Sequence, residues 1–203
     1  MFVVPVGIIA YGQRYVRVIQ RSMTPIENLL QPDDEMLIVT STADEVEPPH
    51  GPLSLINRLQ FQVGSAQFVG IAQVTAVTSR LTPTGNWIET DVEATVLEAI
   101  RGPVFNDGSA ALVRFRLDGG EMTIGSTHVR SEWAPQVAVG DVLLIVLPYA
   151  RPSPYVSPGA SAYTVTNNIL ASVDSRLDSV RRPTLFDGVD LGAVRKALPA
   201  ARR

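Results

Sequence analysis

The sequence predicts a mainly β protein built on a small closed or partly closed antiparallel barrel, with one or two short helices. Two long segments carry this expectation. Residues 67–79 and 87–100 both alternate between side-chain classes, and the turn-forming Pro83-Thr84-Gly85-Asn86 lies between them. Shorter strand-like segments then recur from Ala110 to Val165. A clear amphipathic helical pattern is confined to one early stretch, Ser54 to Ser65.

The chain opens with an apolar-then-basic arm, residues 1–21. Val3, Val4, Val6, Ile8 and Ile9 favour extended structure, and Pro5 excludes a regular helix through them. Such an arm either packs on the main domain as one or two edge strands, or inserts into a partner or lies on a membrane surface. Phe2, Val4, Ile8 and Ile9 are its candidate contact residues. The apolar stretch Met1–Tyr11 is short, and Arg14, Arg17 and Arg21 follow it, the reverse of a secretory signal, so no signal peptide is expected.

Thr24 to Leu30 reads as a helical turn, with Thr24 as cap, Pro25 at the first helical position and Glu27 completing a capping box. Glu35 to Thr40 reads as a strand, and Thr42 to Pro52 as a loop rich in proline and acid. In the helix from Ser54, Leu55, Leu59, Gln62 and Val63 share one side. The strand from Gln67 bends, and Gly70 permits the bend. Its partner from Trp87 sets Ile88, Thr90, Val92 and Ala94 against Glu89, Asp91, Glu93 and Thr95. Ala110 to Leu117 alternates apolar residues with arginine, and Asp118-Gly119-Gly120 is a strong turn. Glu121 to Ile124 and His128-Val129 are weaker strands. Val142 to Tyr149 is continuously apolar, as suits a strand covered on both faces. Ser161 to Val165 closes the strand series, Asn168 onward reads as helical or irregular, and Asp190 to Leu198 reads as a short terminal helix. The expected organisation is a lead-in over 1–52, the barrel over 53–166 and an extension over 167–203.

Composition narrows the function. The 203 residues are 45% hydrophobic and 18% charged, which excludes a disordered chain. The formal net charge of −3 supplies no basic field and weighs against nucleic acid. The absence of cysteine rules out disulfides, thiolate metal sites and cysteine nucleophiles. No run reaches the roughly 18 apolar residues of a membrane-spanning helix.

Catalytic vocabulary is sparse. His50 lies in a proline-rich loop and His128 in a weak strand, with no metal-helix spacing. Asp33, Asp34 and Glu35, and again Asp44, Glu45 and Glu47, read as solvated loop acids. Nucleophile elbow, phosphate loop and dinucleotide fingerprint are absent. Arg114 and Arg116 either pair across strands with Glu89, Asp91 or Glu93, or present a basic stripe to an anionic ligand. Tyr149, Pro152, Pro154, Tyr155 and Pro158 form an aromatic-proline loop, either a rigid surface loop or a partner surface.

One resemblance can be stated on particular residues. Ala66, Phe68, Val69, Gly70, Ile71, Ala72 and Val74 are followed in order by Thr90, by Val96, Leu97, Ile100, Arg101 and Gly102, by Gly119-Gly120 and by Val139-Gly140-Asp141. Over about residues 53–166 this order resembles a loose family of bacterial exported or cell-envelope proteins. Their fold is similar to the oligomer-binding (OB) barrel of netrin-like and metalloproteinase-inhibitor modules. The resemblance implies an OB-like barrel and a periplasmic or cell-envelope location, while the composition leaves a cytoplasmic one open. It does not carry over the inhibitor mechanism, which needs an N-terminal cysteine. The expected function is a non-enzymatic interaction module, an accessory subunit or envelope adaptor, that binds a protein partner through Phe2, Val4, Ile8, Ile9, Tyr149 and Tyr155 without a cofactor. The alternatives are an anionic-ligand or nucleic-acid-binding barrel using Arg114 and Arg116, and a hydrolase built on an acid pair or His128.

Overall fold

Alternating residues give a strand two unlike faces, and a protein with many such strands must find two-sided cover for them. The computed structural model describes residues 5–11, 14–32, 35–39, 66–102, 111–148, 156–158, 160–173 and 188–197. Their strands are β1 (Pro5–Tyr11), β2 (Arg14–Gln20), β3 (Glu35–Val39), β4 (Phe68–Leu81), β5 (Ile88–Arg101), β6 (Leu112–Asp118), β7 (Glu121–Ile124), β8 (Thr127–Ser131), β9 (Val142–Leu147), β10 (Ser161–Thr166) and β11 (Ile169–Ser172). A 3-10 turn spans Ile26–Leu29 and one helix, α1, spans Leu191–Ala197. The protein is mainly β.

The strands form two sheets. The larger runs β11-β10-β9-β4-β5-β6, and every pairing in it is antiparallel. The smaller runs β1-β2-β3-β8-β7 and is mixed, because β3 lies parallel to both β2 and β8. The expected barrel is closed or partly closed and OB-like; neither sheet closes on itself among the described residues, so closure is not observed. A local ladder pattern identifies strands, whereas closure depends on whether the two end strands meet.

The larger sheet is nevertheless strongly curled. Ser157 bridges the free edge of β6: Arg116 donates its amide to the Ser157 carbonyl at 3.0 Å, and the Ser157 amide donates to Arg114 at 2.9 Å. Four residues later, Ser161 of β10 pairs with Val146 on β9, four strands across the sheet from β6. Four residues reach at most about 14 Å. The same two positions on a flat sheet would lie about 24 Å apart. Only a curled sheet brings them within reach.

Three register shifts along β4–β5 concentrate the bend, between Val69 and Gly70, Ile71 and Ala72, and Val74 and Ala76. Gly70 is required there, because a Cβ would lie 2.7 Å from the Glu98 carbonyl oxygen. The apolar run of β9 is buried on both sides, as its sequence predicts. Leu143, Ile145 and Leu147 join Phe68, Val92, Phe115 and Leu117 in one cluster, while Leu144 and Val146 join Val69, Tyr163, Leu170, Leu191 and Val194 of α1 in another. A third cluster joins the sheets, with Ile19, Met36, Ile38 and Val129 packing on Trp87 and Ile88 at the β4–β5 tip.

Several local expectations are corrected. The turn after β2 is a 3-10 turn with Pro25 in the cap position and no side-chain cap, so Thr24 does not act as one. Residues after Asn168 form β11, because Asn167 and Asn168 both take positive φ (52° and 64°) and turn β10 back into a hairpin. Gly119-Gly120 does not close a hairpin: β6 belongs to the larger sheet and β7 to the smaller, so the pair carries the chain between sheets. The expected helix from Ser54 to Ser65 lies outside the described residues.

Candidate functional site

Strand β5 presents Glu89, Asp91 and Glu93 on the face opposite Ile88, Thr90, Val92 and Ala94, since successive side chains alternate. Register then decides what meets them. Arg80 of β4 lies opposite Glu89, while Arg116 and Arg114 of β6 lie opposite Asp91 and Glu93. Arg116 grips Asp91 with two hydrogen bonds, Nε to Oδ1 at 2.6 Å and Nη2 to Oδ2 at 3.1 Å. Arg80 Nε lies 3.0 Å from Asp91 Oδ2 and its Nη2 3.8 Å from Glu89 Oε2. Arg114 Nη2 lies 3.0 Å from Glu93 Oε1. The result is a ladder of three acids and three arginines across three strands. Glu89, Asp91 and Arg116 are each only 22–25% exposed at their side chains.

Burial sets the electrostatics of this ladder. Burial pushes the Glu89 carboxyl above its ordinary value; Asp91 and Asp118 add to the rise, and Arg80 and Arg21 oppose it. Burial also raises Asp91, against the pull of Arg80. Arg114 and Arg116 therefore pair across strands, one of the two arrangements their spacing allows. A ligand anion would have to displace Asp91 and Glu93 to reach them. Arg116→Ala strips Asp91 of its two-bond partner in a half-buried setting. It is expected to lower stability by about 1–2 kcal/mol in urea denaturation. An unchanged midpoint would mean that solvent already screens the pair.

The ladder adjoins the joint between the sheets. Trp87, 1% exposed, donates its indole N–H to Asp118 Oδ1 at 2.6 Å, and the Arg21 guanidinium lies 4.5 Å over the indole ring. Beside it, Thr90 donates to the Gly119 carbonyl at 2.9 Å, and Ser79 and Thr90 hydroxyls lie 3.1 Å apart. Ser131 holds Gly120 at both ends, accepting from its amide at 2.7 Å and donating to its carbonyl at 3.1 Å. Thr90 and Ser131 are buried, and these bonds satisfy them. Sequence reasoning missed this joint; its signal was the glycine pair, read only as a strong turn.

The other candidate residues are dispersed. His128 Nδ1 lies 4.0 Å from Glu35 Oε1 at a half-exposed position on the smaller sheet. Ile8 and Ile9 lie within β1. Phe2, Val4, Tyr149, Tyr155, His50 and the acids Asp33, Asp34, Asp44, Glu45 and Glu47 fall outside the described residues. No group of three or more acidic or histidine side chains that could hold a metal occurs among the described residues. No helix among them is long and apolar enough to cross a membrane. Comparison with known protein families and with curated proteins finds no match.

Proposed function

We propose that this protein is a non-enzymatic interaction module that takes up an extended segment of a protein partner along β1, as an accessory subunit or envelope adaptor. One observation carries the reading: β1 is a seven-residue edge strand that pairs with β2 alone among the described residues. The contrast with the other edges supports it. Ser157 covers part of the β6 edge, and the Gly188–Leu191 segment covers part of β11 through a single bridge between Asp190 and Ile169, with Leu170 donating to Val189 at 3.0 Å and Gly188 to Leu170 at 2.8 Å. The β7 edge is only four residues long. An edge strand whose outer backbone row has no strand partner among the described residues, with the sequence PVGIIAY, lacks the charges that usually discourage pairing, and it suits strand addition. The companion reading of the fold is an OB-like barrel completed at the β6–β10 gap, and the Ser157 bridge supports it.

The test compares the intact chain with a variant lacking residues 1–11. A photo-reactive amino acid replaces Ile8, cross-linking is done in the native cells, and the captured protein is identified by mass spectrometry. A partner cross-linked at position 8 and lost from the truncated chain is the expected result. Equal capture by both chains, with an unchanged thermal melt, overturns the proposal.

A further inference from the structure

We propose that Glu89 is a proton-binding site built into the ladder, so that the folded chain takes up a proton there in mildly acidic solution and is stabilised by it. The geometry of one atom carries this. Arg116 Nε bears a single hydrogen and directs it to Asp91 Oδ1 at 2.6 Å. Glu89 Oε2 lies 3.3 Å from the same Nε and so receives its charge but no hydrogen bond. The nearest Arg80 nitrogen, at 3.8 Å, is beyond hydrogen-bond distance. Glu89 Oε2 is thus buried from solvent without a hydrogen-bond partner.

The surrounding charges are mixed. Arg80 approaches from β4, Arg21 from the segment after β2, and Arg116 and Asp118 from β6; Asp91 stands two residues along the same face of β5, with Glu93 and Arg114 one step further. A proton on Oε2 breaks no hydrogen bond. It ends the burial of an unpartnered charge and the repulsion from Asp91 and Asp118, which together outweigh the lost attraction of Arg80 and Arg21. Asp91 is the poorer proton site, because both of its oxygens already accept from Arg116.

The direction of the effect on stability follows from linkage. Glu89 titrates above its ordinary value of 4.5 in the folded chain, mainly through burial. The folded state then binds the proton more tightly than the unfolded state. The stabilisation is complete below 4.5 and is lost as pH rises through the folded value.

Thermal melts of the intact protein and of Glu89→Gln from pH 4 to pH 8 test this. Glutamine keeps the shape and removes the charge. The variant is expected to melt about 2–4 °C above the parent at pH 7–8, with the gap closing as the pH approaches 4. A gap that does not change with pH, or a variant less stable than the parent at neutral pH, overturns the proposal. Carbon-13 titration of the Glu89 carboxyl in the unaltered protein gives a second reading. A midpoint above 4.5 supports it, and one at or below 4.5 overturns it.

Discussion

Trp87→Ala is expected to lose about 3–5 kcal/mol of folding stability, the range for truncating a buried aromatic side chain. Trp87 is 1% exposed and packs between the β4–β5 tip and the smaller sheet, among Ile19, Met36, Ile38 and Val129. Its removal opens a cavity in the one apolar cluster that, among the described residues, both sheets share. It also leaves Asp118 without its indole donor and Arg21 without the ring beneath it. Trp87→Phe separates these contributions. It keeps most of the apolar volume and removes the 2.6 Å bond to a charged acceptor, so about 1.5–3 kcal/mol of the loss should persist. Urea denaturation followed by circular dichroism measures both variants. A loss below about 1 kcal/mol for Trp87→Ala would show that the tip does not anchor the smaller sheet.

Gly119→Ala is the second large effect, for a backbone reason. Gly119 has φ of +84°, a region that residues with a Cβ rarely adopt. A Cβ there would lie 2.7 Å from Ser131 Oγ and closer still to the Trp133 carbonyl oxygen. Neither is the far end of a flexible side chain. Ser131 is fully buried and holds Gly120, and the Trp133 oxygen is backbone. Strain and overlap together are expected to cost about 3 kcal/mol or more. The Gly125→Ala control shares a positive φ (61°) but has nothing within 4 Å of its added carbon, so it should cost only about 1 kcal/mol. Equal losses at the two positions would remove the steric argument and leave only the backbone one.

Local periodicity made much of the secondary structure readable. The alternation of β5 put Glu89, Asp91 and Glu93 on one face, and the alternation of β6 did the same for Arg114 and Arg116. The ion pairs therefore followed from register. The unbroken apolar run of β9 announced a strand covered twice. What was hidden is what no window of neighbouring residues contains. Nothing near Glu35 indicates that β3 will lie parallel to β8, whose His128 is its partner. Asp118-Gly119-Gly120 has the chemistry of a tight turn, and only the partners of β6 and β7 distinguish a hairpin from a crossing between sheets. The Asn167-Asn168 turn was a local signal, a pair that tolerates positive φ between two strand-forming segments, and it was overlooked. Arg80 completes the ladder from β4 and was missed, because the bulges after Val69 set its position relative to Glu89.

The parallel seam between β3 and β8 also constrains how the protein is made. Thr127 donates to the Gln31 carbonyl across 96 positions of the chain. At translation rates of about 5–20 residues per second, β2 and β3 leave the ribosome about 5–20 s before the strand that completes their sheet. During that interval β2 can pair with both β1 and β3, while Ile19, Met36 and Ile38 still lack Val129 of their shared cluster. The central strand of the smaller sheet is thus synthesised early and gains its second neighbour only once β8 has followed.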